Sequence, residues 1–176
     1  MHVSVTRDLL HAPEHVTALY ERAFPANERR SFADMQQQLG DACELLVFEK
    51  AGQFIGFALL LTWLDLTHIL YLAIGEAHRN GGFGAQALQA IRQHKPQARI
   101  IADLEDDDPE AANNADRMRR MQFYRRSGYE ASAVRYVWRG EKYVMFISGG
   151  ALTDEEFDAF WHHFSIQPQR PEVTDP

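Results

Sequence analysis

Residues 74–85 read IGEAHRNGGFGA and join an apolar, strand-like run to a segment with helical periodicity. Glycine lets the backbone approach a ligand closely. The first turn of a helix presents N–H groups that have no partner within the helix, and these groups favour anions. The spacing therefore predicts a turn that can hold a diphosphate.

Two common nucleotide motifs do not fit this turn. A P-loop requires G-x-x-x-x-G-K-[ST], and the segment contains no Lys-Ser or Lys-Thr pair. A dinucleotide fingerprint requires G-x-G-x-x-G, and Ala87 stands where the third glycine after Gly82 and Gly84 would be. The P-loop and the dinucleotide-binding fingerprint are therefore both excluded.

The remaining pattern is R-x-x-G-x-G, from Arg79 to Gly84. Together with Tyr124 and the Gly128-Tyr129 pair in FYRRSGY, it resembles the GNAT superfamily of acyl-CoA-dependent N-acyltransferases. The resemblance covers about residues 3–147 and includes an early Phe24-Pro25-x-x-Glu28-Arg29 segment typical of small bacterial members. It implies a mixed α/β fold: a central, mostly antiparallel sheet with one splayed parallel strand pair, flanked by helices on both faces.

The resemblance also implies how acetyl-CoA, as cosubstrate, is held. The Leu72 N–H would polarise the acetyl carbonyl, Ala73 and Ile74 would bind the pantetheine arm, and Arg79 would contact the diphosphate. The implied coenzyme-binding set is Leu72, Ala73, Ile74, Arg79, Asn80, Gly81, Gly82, Phe83, Gly84, Ala85 and Tyr124.

An amine acceptor needs a base, because an alkylammonium with a pKa of about 10.4 is almost fully protonated at neutral pH. Asp103 and Glu105 alternate onto one face at the end of a predicted strand, and His68 is expected to share a face with Leu70 and Leu72. In the superfamily, a carboxylate falls near the positions of Asp103 and His68. The choice stays open, with a slight preference for Glu105 because of its longer reach.

The departing thiolate needs a proton, and the resemblance assigns this donation to Tyr124. Its simpler interpretation is a core aromatic residue on an amphipathic helix. No metal is expected, because the acidic run of residues 103–110 lacks the glycine and the final glutamate of an EF-hand. His162 and His163 have no third ligand at a metal-binding spacing.

These residues must be positioned by alternating elements. Apolar runs predict strands at residues 3–5, 44–49, 54–63, 68–74, 99–104, 134–138 and 143–147. Helical spacing predicts helices after Pro13, from Ser31 to Gly40, over 84–94 and 115–126, and after Thr153. We expect one domain over residues 1–166 and a mobile tail over 167–176, and the aromatic residues of the last helix are expected to complete the core rather than a dimer.

Composition limits the functional classes. The 176 residues are 45% hydrophobic and 24% charged, which is typical of one globular domain. The net charge of −7 lacks the basic character of nucleic-acid binders and favours a cationic partner. Because no run reaches about 18 apolar residues, no membrane span is expected. The first ten residues lack a signal-peptide pattern, and Cys43 alone can form no intrachain disulfide, so a cytoplasmic location is expected.

The sequence therefore predicts an N-acetyltransferase that transfers an acetyl group from acetyl-CoA directly to a primary amine, acting as a monomer or homodimer. The alternatives are a non-catalytic acyl-CoA sensor or protein-interaction module on the same fold, and an unrelated α/β domain in which the glycine turn is coincidental. The acceptor is left open among polyamine-like amines, antibiotic amines, amino acids and peptides.

Overall fold

The computed structural model describes residues 1–171. The chain divides into two compact units, which we call unit 1, from Met1 to Ala98, and unit 2, which begins at Arg99. Each unit contains its own strands, helices and buried side chains.

Unit 1 contains four antiparallel strands in sequence order: β1 (His2–Thr6), β2 (Cys43–Lys50), β3 (Gln53–Trp63) and β4 (Leu66–Ile74). The predicted hairpin between β2 and β3 is confirmed. Its turn residues Ala51 and Gly52 have φ values of 51° and 74°. Positive φ at both central residues matches the right-handed twist of the flanking strands.

Three helices complete unit 1: α1 (Glu14–Ala23), α2 (Phe32–Leu39) and α3 (Phe83–His94), with short 3₁₀ turns at Gly40–Ala42 and Glu76–His78. The predicted N-cap of α2 is confirmed, because the Ser31 hydroxyl accepts a hydrogen bond from the Asp34 N–H at 3.0 Å. The predicted helix stop at Gly40 is also confirmed, with a φ of 54°.

A buried carboxylate connects β2 to the end of α3 in unit 1. Glu44 is 4% exposed, and its carboxylate forms ion pairs with Lys95, with His94 Nε2 at 3.5 Å and with Arg7 Nη2 at 3.2 Å. Burial alone would raise the pKa of Glu44, but the hydrogen bond and charge of Lys95, with the charges of His94 and Arg7, lower it below its ordinary value.

Unit 2 contains β5 (Arg99–Glu105), α4 (Asn114–Arg126), β6 (Glu130–Trp138), β7 (Glu141–Ser148) and α5 (Asp154–His163). Strand β7 pairs antiparallel with both β5 and β6. The predicted capping box of α5 is confirmed: the Thr153 hydroxyl accepts from the Glu156 N–H, and the Glu156 carboxylate accepts from the Thr153 N–H. Phe157 and Phe160 on α5 are fully buried, as expected for a helix that completes the core.

Two residues of the segment predicted to be mobile contact other residues of unit 2. The Gln169 carbonyl accepts a hydrogen bond from the Val137 N–H at 2.7 Å. Arg170 Nη2 donates to Asp158 Oδ1 at 2.7 Å, and its guanidinium lies 5.0 Å from the centre of the Phe157 ring. Residues 172–176 of the predicted tail lie outside the described residues, and the mobility of the tail stays a prediction.

The expected fold class is confirmed: the chain is a mixed α/β protein whose strands pair mostly in antiparallel fashion. Within residues 1–171, none of the helices has the length and apolar character required to cross a bilayer.

Candidate functional site

The end of β4 in unit 1 presents backbone groups in two directions. Gly75 N–H donates to Ile55 O of β3 at 2.9 Å, and Ala73 pairs in register with Phe57. Because hydrogen-bonding directions alternate along an antiparallel strand, the Ala73 N–H points toward β3, whereas the N–H groups of Leu72 and Ile74 point away from it. The pairing with β3 therefore uses the side of β4 to which the Ala73 N–H points, and the Leu72 and Ile74 N–H groups lie on the other side.

A bulge in β4 changes which side chains share a face. Leu59 pairs with Tyr71, but Leu60 pairs with Ile69, so Leu70 is an extra residue on β4. His68 pairs with Leu61 and therefore lies on the face of Tyr71. The expectation that His68 shares a face with Leu70 and Leu72 is wrong for Leu72, which pairs with Ala58 and lies on the opposite face, because simple alternation does not hold across the bulge.

The turn after β4 contains two residues in the left-handed region of backbone conformation. Asn80 and Gly82 have φ values of 63° and 76°, and Gly82 is the N-cap of α3. A Cβ built on Gly82 would meet no atom within 4 Å, so that side of the turn is open space. Arg79 Nε donates to Ile74 O at 3.3 Å, which links the turn to the end of β4.

The first turn of α3 contains Phe83, Gly84 and Ala85 and no acidic residue. Its N–H groups have no acceptor within the helix, and the helix dipole favours an anion there. A second cation lies nearby, since Lys50 Nζ at the end of β2 is 5.1 Å from the centre of the Phe83 ring. The residues predicted for diphosphate binding, from Arg79 to Ala85, thus form one continuous turn whose chemistry fits an anion.

Two tyrosine hydroxyls, which the sequence analysis missed, fix the loop between α1 and α2. Tyr20 OH donates to Arg30 O and accepts from the Arg30 N–H, both at 3.0 Å. Tyr71 OH donates to Glu28 O at 2.9 Å. Tyr71 therefore holds the Phe24-Pro25-x-x-Glu28-Arg29 segment against β4 from a position far from it in sequence, and no local pattern signals this contact.

The Glu105 carboxylate, in unit 2, takes part in a network of ion pairs. Its side chain is 13% exposed, and its oxygens lie 3.4 Å from Arg117 Nη2 and 3.1 Å from Arg120 Nη1. Asn113 Nδ2 donates to the same carboxylate at 3.2 Å. Arg117 is itself 6% exposed. These contacts connect β5 to α4, so Glu105 has a clear structural role.

Asp103, two residues earlier on β5, has a different partner. Tyr136 OH donates to Asp103 Oδ2 at 2.7 Å. Asp103 is half-buried. Strand alternation predicts Asp103 and Glu105 on one face and does not distinguish them, because their partners are at least eight residues later in the chain.

Tyr124 lies on α4 and is 7% exposed. Burial raises the pKa of its phenol, and electrostatic interactions with Tyr129 and with the Asp103 carboxylate raise it further. The phenol therefore stays protonated at neutral pH and can donate a hydrogen bond. The predicted helix end is confirmed, because Gly128 has a φ of 85° and the Tyr129 N–H returns to Tyr124 O at 3.1 Å.

The acidic run after β5 is held by protein partners. Asp106 Oδ2 accepts from Arg135 Nε at 2.9 Å, and Asp107 Oδ1 accepts from Asn114 Nδ2 at 2.9 Å. Among the described residues, no group of three His, Cys, Asp or Glu side chains could hold a metal ion.

Cys43 is fully buried in β2, and burial raises the pKa of its thiol to about 12.

The sequence matches the model of the Acetyltransferase (GNAT) family over residues 14–129. No curated protein matches it. Among solved structures, a protein from Bacteroides thetaiotaomicron assigned to the GNAT family is similar, with a TM-score of 0.74, 17% identity and coverage of 93% of this chain and 95% of that one.

Two further structures are similar in fold. The ribosomal-protein-S18-alanine N-acetyltransferase of Escherichia coli has a TM-score of 0.59, 17% identity, and coverage of 88% of this chain and 97% of that one. A GNAT family acetyltransferase from Elizabethkingia anophelis with acetyl-CoA bound has a TM-score of 0.57, 15% identity, and coverage of 84% and 98%. At these identities the likeness establishes the fold alone.

Proposed function

The chain belongs to the GNAT family of acetyltransferases, and from this premise we propose that it transfers an acetyl group from acetyl-CoA directly to a primary amine. The observation that carries the proposal is the turn before α3, where positive φ at Gly82, open space beside it and a helix N-terminus coincide. A solved family member of similar fold has acetyl-CoA bound, which supports acetyl-CoA as the cosubstrate.

In this proposal the diphosphate lies against the N–H groups of residues 80–85. Gly82 supplies the left-handed backbone and leaves the space that the anion occupies, as any side chain at this position would project into it. Arg79 and Lys50 supply positive charge from two sides of the helix start. Acetyl-CoA brings the activated acetyl group, and the remaining chemistry belongs to residues of this chain.

Leu72 N–H donates to the oxygen of the acetyl carbonyl and stabilises the negative charge that develops on it. Ile74 N–H binds the pantetheine arm, since it points away from β3 in the same direction. Ala73 contributes its small side chain and not its N–H. The proposed backbone donors at the end of β4 are therefore the N–H groups of Leu72 and Ile74.

Asp103 is proposed as the general base in preference to Glu105 and His68. Glu105 is already paired with two guanidinium groups and one amide, so its proton-accepting oxygens are in use. His68 is 2% exposed and lies on the face of Tyr71. Asp103 is half-buried, and its Oδ2 accepts a hydrogen bond from Tyr136 OH.

The proposed reaction transfers the acetyl group from the thioester sulfur to the amine nitrogen. Asp103 takes a proton from the ammonium, directly or through water, and the neutral nitrogen forms a bond to the acetyl carbon. The nitrogen loses a second proton to water, the carbon–sulfur bond breaks, and Tyr124 OH donates a proton to the departing sulfur. The products are the N-acetylated amine and free CoA thiol, and solvent takes up the proton from Asp103 and restores the one on Tyr124. No cysteine relay is needed, which agrees with the burial of Cys43.

The acceptor class and setting are proposed from composition. A net charge of −7 favours a cationic amine, and a single cysteine fits a reducing, cytoplasmic setting. The chain is proposed to act without nucleic acid or membrane, as a monomer or homodimer. The S18-alanine acetyltransferase of similar fold makes a peptide amine one of the acceptors to test.

The experiment has two stages. Calorimetry measures acetyl-CoA binding, and release of free thiol is then followed with spermidine, kanamycin, single amino acids and a peptide with an N-terminal alanine. Binding together with thiol release on one of these amines supports the proposal. Binding without release on any of them contradicts it and supports an acyl-CoA sensor. Absence of binding at high micromolar acetyl-CoA supports the unrelated α/β domain.

A further inference from the structure

The Asp103 carboxylate, in unit 2, accepts a hydrogen bond from a buried tyrosine hydroxyl. Tyr136 OH donates to Asp103 Oδ2 at 2.7 Å. This distance is typical of a charge-assisted hydrogen bond between a phenol and a carboxylate. Tyr136 lies on β6 and Asp103 on β5, and β7 separates the two strands in the pairing.

The ring of Tyr136 is fixed on two sides, so the position of its hydroxyl is fixed as well. It stacks on Tyr143 of β7, with ring centres 5.2 Å apart and planes at 19°. It also packs against Phe157 of α5 at 5.5 Å. Tyr136 is 8% exposed, so the ring has little freedom to rotate away.

Phe157 has a further contact, with Arg170. The Arg170 guanidinium lies 5.0 Å from the centre of that ring. Arg170 donates to Arg135 O at 2.9 Å and to Asp158 Oδ1 at 2.7 Å. A chain of contacts therefore runs from Arg170 through Phe157 and Tyr136 to Asp103.

Packing alone does not require the Tyr136 hydroxyl. The ring contacts with Tyr143 and Phe157 use only the aromatic face, and phenylalanine would preserve them. The hydroxyl adds a donor that restrains the orientation of the Asp103 carboxylate. A base whose carboxylate is held in one orientation accepts the substrate proton from a defined direction.

We infer that Tyr136 is a positioning residue for Asp103, which it orients for proton abstraction from the acceptor amine. The inference rests on the proposed function, in which Asp103 is the base. Tyr136 itself touches neither acetyl-CoA nor the reacting atoms in this role. Since small misplacements of a catalytic group reduce rates strongly, loss of the hydroxyl affects turnover more than binding.

The test is a double-mutant cycle of Tyr136→Phe and Asp103→Asn, assayed with an amine that the wild-type protein acetylates. Tyr136→Phe alone should reduce kcat by about 10- to 100-fold, with KM for acetyl-CoA unchanged within about twofold. In the Asp103→Asn background, Tyr136→Phe should change kcat by less than about twofold, because its partner is already lost.

Several outcomes would overturn the inference. A wild-type kcat in Tyr136→Phe would show that the hydroxyl has no positioning role. Equal kcat losses in the wild-type and Asp103→Asn backgrounds would show that the hydroxyl does not act through Asp103. If Tyr136→Phe fails to fold, Arg170→Gln replaces it, since it loosens Phe157 without changing Tyr136, and its kcat loss should also vanish in the Asp103→Asn background. Absence of wild-type turnover on every amine contradicts the proposed function instead, and the inference falls with it.

Discussion

Gly56 lies so close to Ala73 that a Cβ on the glycine would be 2.2 Å from the Ala73 carbonyl oxygen. The same Cβ would lie 3.1 Å from Ile74 Cα. Backbone atoms cannot move aside as a flexible side chain can, so β3 reaches the end of β4 only with glycine at position 56. This approach sets the position of the strand end from which Leu72 and Ile74 direct their N–H groups away from β3.

Gly56→Ala should therefore lower the free energy of unfolding by about 1 to 3 kcal/mol and weaken acetyl-CoA binding. Gly75→Ala is the matched control, because its Cβ would meet Ile55 O at an ordinary 3.5 Å and its φ is −55°. Chemical denaturation and calorimetry measure both effects. A Gly56→Ala protein as stable as the Gly75→Ala protein would contradict the close approach.

Tyr124→Phe should lower kcat by about tenfold or more while acetyl-CoA affinity stays close to that of the wild type. The reason is that the variant keeps the ring and loses only the proton donor. Burial raises the pKa of this phenol, so its ionisation should not reduce activity below pH 10. Steady-state kinetics from pH 6 to 10 provide the check, and an unchanged kcat would leave Tyr124 with a packing role only.

Asp103→Asn and Glu105→Gln should separate catalysis from stability. Asp103→Asn should reduce kcat by about 100-fold or more with little loss of stability. Glu105→Gln removes a partner of the buried Arg117, so it should cost about 1 to 3 kcal/mol of stability and retain most of kcat. Steady-state kinetics measure kcat, and thermal unfolding measures stability, for both variants. A large loss of kcat in Glu105→Gln and a loss of stability alone in Asp103→Asn would make Glu105 the base.

The ion cluster around Glu44 makes stability depend on pH. The pKa of Glu44 in the folded protein is below its ordinary value of 4.5, so its stabilisation is present above that pH and is lost as the pH falls through the folded value. Glu44→Gln should lose about 1.5 to 3 kcal/mol at pH 7 and progressively less in acid. Glu49→Gln on the same strand, whose side chain is 38% exposed, should lose little at any pH. A loss in Glu44→Gln that is independent of pH would contradict this account.

Local sequence patterns predict most of the secondary structure. Ser31 and Gly40 at the ends of α2, the Thr153 and Glu156 capping box of α5, and Gly128 after α4 are each found where their chemistry predicts. These features depend on residues within a few positions of one another. The turn before α3 was predictable for the same reason.

Long-range contacts were not predictable from the sequence. The extra residue Leu70 in β4 moves His68 to the other face, and nothing in the strand pattern signals that bulge. The preference for Glu105 relied on side-chain length, whereas the partners that distinguish it from Asp103 are Arg117, Arg120 and Tyr136, which come from later elements. Gly56 gave no signal either, because its neighbours Ala73 and Ile74 lie on another strand.

Calorimetric titration of CoA into Gly82→Val and Gly128→Val tests the coenzyme turn most directly. Both glycines have positive φ, 76° and 85°, and neither would place a Cβ within 4 Å of another atom, so the backbone strain of the two variants is matched. CoA affinity should fall by about tenfold or more, equal to about 1.4 kcal/mol, in Gly82→Val alone. Equal CoA affinity in the two variants would contradict the assignment of the diphosphate to the turn before α3.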